Sequence, residues 1–286
     1  MVDVAGILAS WLLVSALYAL VAIGFTMIFG VGGVLNLAHG GILTVGAFAT
    51  YGVTFYGGHI AIGIVVGTLV AGLFAGVLYL VLARDFMDEP LVILILTLVV
   101  AVIVEEVIAT FVGTQSRLIR QLVPGTTEIL GVSMQLNRLT MFTVSWIAIG
   151  GVFVFVNHTD MGRAVLATSM SERGAAIVGI DADRVQLITW IVAGALAGLG
   201  GVFLGMEYLA NYDMGRNPLV LSFAIVVLGG LGSIKGSVIA AYLIGFVETL
   251  TVYLISPRLT GIAAFLILII VLLTKPEGLF GREFVE

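Results

Sequence analysis

Residues Gly6 to Phe29 read GILASWLLVSALYALVAIGFTMIF, an apolar run without a single charge. A bilayer core is about 30 Å thick, and a helix crosses it with ~20 apolar residues. The run meets that length and is too long for a barrel strand. In lipid every backbone polar group needs a partner within the protein, so a helix is the reading. Further runs of the same kind follow at Ile60 to Ala83, Leu91 to Val112, Leu139 to Val156, Gln186 to Leu209, Leu219 to Leu228, Val238 to Leu254 and Gly261 to Thr274. The pattern predicts an all-α integral membrane protein with eight transmembrane helices, and a ninth if Val34 to Tyr56 also crosses.

Composition agrees. Of 286 residues, 60% are hydrophobic and 10% charged, against roughly 25% charged in soluble domains. A net charge of -5 gives no sign of a nucleic-acid partner. The absence of cysteine excludes disulfides and thiolate metal sites. His39, His59 and His158 are far apart in sequence, and no catalytic or metal-ligating constellation is present. The Met1-Val2-Asp3 start lacks the basic region of a cleaved signal, so the first run reads as a retained span. The whole chain, 1–286, reads as one transmembrane domain. No short-period repeat is visible, and none between the halves can be demonstrated from sequence.

Orientation follows the excess of Lys and Arg on cytoplasmic loops. The polar stretch His158 to Arg184 and the segment from Lys275 fall on one side together with Arg84 and Lys235. That gives seven of the twelve basic residues. The remainder, Arg117, Arg120, Arg138, Arg216 and Arg258, fall on the other. Whether Val34 to Tyr56 crosses decides the side of the N-terminus. Gly32, Gly33, Asn36, His39, Gly40 and Gly41 predict a broken or re-entrant segment near 32–41. Between Gly113 and Arg138, residues Glu128 to Leu136 suit a small strand pair.

Three features could carry function. Asn36, His39 and Gly40 form a candidate substrate pathway. Asn and His are costly in an apolar run unless paired, and a helix broken at glycines can offer free amides to a carboxylate. The alternative is a polar cluster joining helices. The second is the 158–184 stretch, where Glu172, Arg173, Ala175, Ala176, Gly179 and Ile180 suit a short amphipathic helix presented to a partner, or else an ordinary solvated loop. The third is the glycine-rich turn Gly229, Gly230, Gly232 and Gly236. It contains Lys235, but no P-loop spacing occurs anywhere in the chain. Glycine pairs four apart (Gly63/Gly67, Gly72/Gly76, Gly194/Gly198, Gly201/Gly205) suit close packing within the chain more than a dimer face. Glu105, Glu106, Glu207 and Glu248 are expected near span ends, within reach of water.

These residues together resemble the branched-chain amino acid ABC permease family. Ser15 to Gly30 is similar to its opening span, and Asn36-Leu37-Ala38-His39-Gly40 to its Asn-Phe-Ala-His-Gly motif, with Leu37 in place of the aromatic. Ala175 to Arg184 resembles its cytoplasmic coupling segment. Leu228 to Gly236 resembles its glycine-rich turn, with Lys235 where proline is common. Lys275-Pro276-Glu277-Gly278-Leu279-Phe280-Gly281 resembles its C-terminal signature. The order is kept over nearly the whole chain, and the opening motifs point to the H-type permease. The resemblance implies a prokaryotic cytoplasmic membrane and a second permease subunit, homologous or identical. It also implies two cytoplasmic ATPase subunits and an extracytoplasmic solute-binding protein. ATP would bind the partners, leaving no cofactor in this chain, and residues 158–184 would hold the coupling helix. Leu37 and Lys235 leave the substrate more open than the fold, since relatives carry urea or short amides. The competing functional class is a secondary transporter or facilitator working alone, which needs its own coupling-ion site. A structural or sensory protein is disfavoured by the lack of a soluble sensor domain.

Overall fold

A computed structural model describes residues 4–129, 131–275 and 277–280. The helices are α1 (Val4–Gly32), α2 (His39–Phe55), α3 (Ile60–Leu78), α4 (Pro90–Phe111), α5 (Leu136–His158), α6 (Asp160–Met170), α7 (Glu172–Ile177), α8 (Ala182–Tyr208), α9 (Arg216–Gly229), α10 (Ile234–Leu254) and α11 (Ile262–Thr274). α3 runs on through a π turn, Tyr79–Ala83, into a 3-10 turn, Arg84–Phe86. The expected strand pair forms an antiparallel hairpin, β1 (Thr126–Ile129) and β2 (Val132–Gln135). Among the described residues, six helical segments are long and apolar enough to cross a membrane, and α9 and α11 are shorter apolar helices.

α1 and α8 form the centre. α1 is buried without interruption from Ser15 to Ile28, which explains why it shows no polar face. Lipid is as apolar as leucine, so packing here depends on close approach of small residues. Gly194 and Gly198 of α8 lie on Ala75 and Ala71 of α3, and Gly201 lies on the Leu43 backbone of α2. Gly72 and Gly76 face Ile191 and Ala195 of α8. The glycine pairs thus serve packing within the chain. On the other side of α1, Thr26 and Ser237 of α10 share a 2.7 Å hydrogen bond, and Trp11 Nε1 donates to the Tyr242 carbonyl at 2.8 Å.

Ion pairs mark the two ends of the bundle. At one, Arg84 after α3 meets Asp183 at the start of α8 at 2.6 Å. At the other, Arg138 in the first turn of α5 pairs with Glu207 near the end of α8. Gly32 lies beside Met87 and Gln186 at the Arg84 end, whereas α3 runs antiparallel along α8 from the Arg138 end. Residues 33–59 therefore pass from one end of the bundle to the other.

The two halves are related by an inverted repeat. α1 lies against α8 and α10, and α8 lies against α1 and α3. A break follows each central helix. Beyond it, α2 packs on α8, α3 and α4, while α9 packs on α1, α10 and α11. Exchanging α1 with α8, α2 with α9, α3 with α10 and α4 with α11 preserves the arrangement while reversing chain direction. Inverted repeats with discontinuous helices are a recurring way to build transporters.

Candidate functional site

α1 ends at Gly32 and α2 begins at His39, so an interruption lies near 32–41. The Asn36 side-chain oxygen accepts from the Ala38 amide at 3.0 Å, and its carbonyl accepts from the His39 amide at 3.2 Å. Thr97 of α4 accepts from the Leu37 amide at 3.0 Å. These amides are therefore occupied within the protein rather than offered to a carboxylate, as the cost of unpaired backbone in lipid demands. Asn36 and His39 are 1% and 0% exposed. His39 Nε2 donates to the Val21 carbonyl of α1 at 3.1 Å, and its ring meets Phe25 edge-on. Gly40 abuts Gly215 so closely that a Cβ on either would overlap the other's backbone.

The second break lies between α8 and α9. Leu209 has φ 69, and Ala210 exchanges both backbone hydrogen bonds with Arg117 at 2.7 and 2.9 Å. The expected span Leu219 to Leu228 is instead the 14-residue α9. Arg216, its first residue, donates to both Glu105 carboxylate oxygens of α4, the shortest contact being 2.5 Å.

The polar stretch 158–184 is not an open loop. Thr159 caps α6, Ser171 caps α7 and Asp181 caps α8, each accepting an amide hydrogen bond from the first turn of its helix. Such caps satisfy amides that a helix start leaves free. Glu172, Arg173 and Ala176 are exposed on α7, Ala175 is buried against the bundle, and Gly179 turns the chain with φ 84 before the half-buried Ile180. Ile177 and Val178, 85% and 74% exposed, were not singled out from sequence. The signal was there: two adjacent apolar residues inside a charged segment.

The glycine-rich turn sits at the same end as α7. Gly230 and Gly232 take φ values of 98 and 83, which only glycine adopts without strain. Gly229 packs on Gly236, and Gly232 touches Gly30 of α1. Beyond α11, the Leu279 and Phe280 amides donate to the Leu228 and Gly229 carbonyls at 2.8 and 3.2 Å. Pro276 and Gly281 of the C-terminal signature lie outside the described residues, as does Arg282.

Three of the four acids depart from the water-accessible placement expected of them. Glu105 and Glu207 are held by Arg216 and Arg138. Glu248 is 3% exposed, and its Oε1 accepts from the Gly261 and Ala264 amides at the start of α11. Glu106 is exposed. At the Arg138 end, α1, α5, α8, α9, α10 and the segment between α10 and α11 line a cavity of about 590 Å³. Asn36, His39 and Gly40 do not line it. No cluster of three metal-ligating side chains occurs among the described residues.

Residues 7–272 match the family described as branched-chain amino acid transport system / permease component. The chain belongs to that family. It is a family of transport permeases, not of enzymes, and its member here is a multi-pass membrane protein. The high-affinity branched-chain amino acid transport system permease protein LivH of Escherichia coli K12 is 29% identical, with 94% of this chain and 92% of that protein covered. BraD of Pseudomonas aeruginosa, described in the same words, is 27% identical over 98% and 96%. A probable LivH of Methanocaldococcus jannaschii is 29% identical over 97% and 92%. Among solved structures, PsaBC from Streptococcus pneumoniae in complex with Fab shares the fold with a TM-score of 0.53 at 14% identity, over 95% of this chain and 92% of that one.

Proposed function

We propose that this chain is a permease subunit of an ABC importer in a prokaryotic cytoplasmic membrane. It forms the transmembrane path for branched-chain amino acids while separate ATPase subunits supply the energy. The observation that carries the reading is the capped α6–α7 segment. It is a rigid polar cap with an exposed apolar tip at Ile177 and Val178, on a chain of this family that has no P-loop. ATP bound elsewhere can bias the permease only through a contact that differs between its states, and this tip suits such a contact. The partners are two cytoplasmic ATPases, a second permease subunit and an extracytoplasmic binding protein. No cofactor is bound by this chain, and no reaction is catalysed by it.

The path of the chain supports nine crossings. They are α1, the 33–55 segment, α3, α4, α5, α8, the 209–229 segment, α10 and α11. With α7 in the cytoplasm, the start of α1 is then extracytoplasmic. Asn36, His39 and Gly40 belong to the pathway through the movable break, sealed in this conformation by His39 on Val21 and by Gly40 on Gly215.

The test is uptake of labelled leucine, isoleucine, valine and urea by the complex reconstituted with its ATPase and binding-protein partners. Uptake of branched-chain amino acids that requires ATP supports the reading. Uptake by this chain alone along an ion gradient would replace it with the secondary transporter.

A further inference from the structure

The loop after α4 crosses the Arg138 end of the bundle and is clipped to the second break. Near its start Arg117 Nη2 donates to the Val112 carbonyl at the end of α4, at 2.6 Å. Near its end the Leu122 amide donates to Asn137 Oδ1 of α5 at 2.9 Å. Between these ties the loop touches three elements. Arg117 exchanges both backbone hydrogen bonds with Ala210 of the break. The Arg117 guanidinium lies over the Tyr51 ring of α2, 5.9 Å from its centre, within reach of a cation–π contact. Ile119 is 0% exposed, and a Cβ on Gly205 of α8 would come within 2.7 Å of its Cδ1. The loop thus sets an apolar anchor where α8 has no side chain. What it grips is strained. Leu209, beside Ala210, has φ 69 and ψ 146, a region that a residue with a Cβ keeps only when its surroundings enforce it. Tyr208, Leu209, Asn211 and Met214 also line the cavity. The break that the loop grips is therefore part of the cavity wall.

We propose that residues 114–123 are a releasable strap. Docked, the strap holds the second break in its strained form and fixes that part of the cavity wall. Lifted, it lets Leu209 relax and the wall move. The docked contacts are a backbone bridge, a ring contact and one apolar side chain, so they can part without unfolding a helix. This deepens the transport reading and rests on it. What it adds is the element that moves and the residues that hold it, Arg117 and Ile119.

The native chain has no cysteine, so Arg117→Cys combined with Ala210→Cys allows a single disulfide. Antiparallel partners that exchange both hydrogen bonds have Cα atoms about 5.5 Å apart, within the range a disulfide spans. Uptake of labelled leucine by the reconstituted complex carrying this pair is expected to fall at least tenfold on oxidation and to return on reduction. Each single variant is expected to be indifferent to both treatments. Equal uptake by the oxidised and reduced pair overturns the strap and leaves the transport reading standing. Ile119→Ala tests the strap without transport. In hydrogen exchange on the purified full chain in nanodiscs, it is expected to speed the Arg117 and Ala210 amides together, at least tenfold, and to leave the amides within α8 unchanged. Retained protection at Ala210 overturns the strap whatever the complex transports. Faster exchange at both amides, with a wild-type complex that takes up nothing on ATP, keeps the strap and removes the transport reading. If the reduced cysteine pair itself fails to transport, the exchange measurement decides.

Discussion

Gly40 and Gly215 approach backbone to backbone where the two broken segments cross, and no side chain fits between them. Gly40→Ala forces α2 and α9 apart. Overpacking of this kind costs about 1–3 kcal/mol, to be read as a lower melting temperature of the purified protein in detergent. Gly52→Ala, in the same helix, is the control. Nothing lies within 4 Å of its added Cβ, and replacing a helical glycine by alanine gains roughly 0.5–1 kcal/mol, so its melting temperature holds or rises. Sequence showed Gly40 as part of a break but not that it faces Gly215. The acids were harder still. Glu105 finds Arg216 and Glu207 finds Arg138 only after the chain has crossed the bundle, so spacing along the chain carries no trace of either pair. An intramembrane acid suggests ion coupling by default, and here two of them have arginine partners.

Among the elements, the 158–184 segment was legible only in part: the short helix left open against a solvated loop is α7, whereas α6 was not expected. Thr159, Ser171 and Asp181 stand at the three helix starts, and such residues favour that position because their side-chain oxygens accept from the first turn. Ile177→Asp and Val178→Asp are each expected to cut ATP-driven uptake at least tenfold in the reconstituted complex. Both side chains are exposed, so the amount of folded protein in the membrane stays as in wild type. Normal uptake in both variants takes the tip out of the energy transfer. Gly179→Val strains a backbone at φ 84, at a cost on the order of 1–3 kcal/mol. It should redirect the tip and lower uptake while the circular-dichroism helix signal is kept. α9 was the least legible element. Its apolar run is short, and the break before it, at Leu209 and Ala210, gave no signal in the sequence.

For the whole molecule, hydropathy located the central helices because a long uncharged run in lipid has one stable outcome. The inverted repeat escaped the sequence because it lies in which helix neighbours which, not in residue identity. The nine crossings we propose would place Val4 and Ile177 on opposite faces of the membrane. The chain contains no cysteine, so single cysteines introduced at these two positions are unambiguous reporters. In intact cells a membrane-impermeant maleimide is expected to label the Val4 site and spare the Ile177 site. Labelling of both from the same side would return the count to eight.

The Leu279 and Phe280 amides close on carbonyls at the end of α9, and this sets an order of assembly. A ribosome must make α10 and α11 before those two carbonyls meet their donors. Until then those two carbonyls lack the partners they have in the folded chain. Maturation of this helix is therefore tied to synthesis of residues far downstream, and a stalled or shortened product would present quality-control proteases with an unlatched α9.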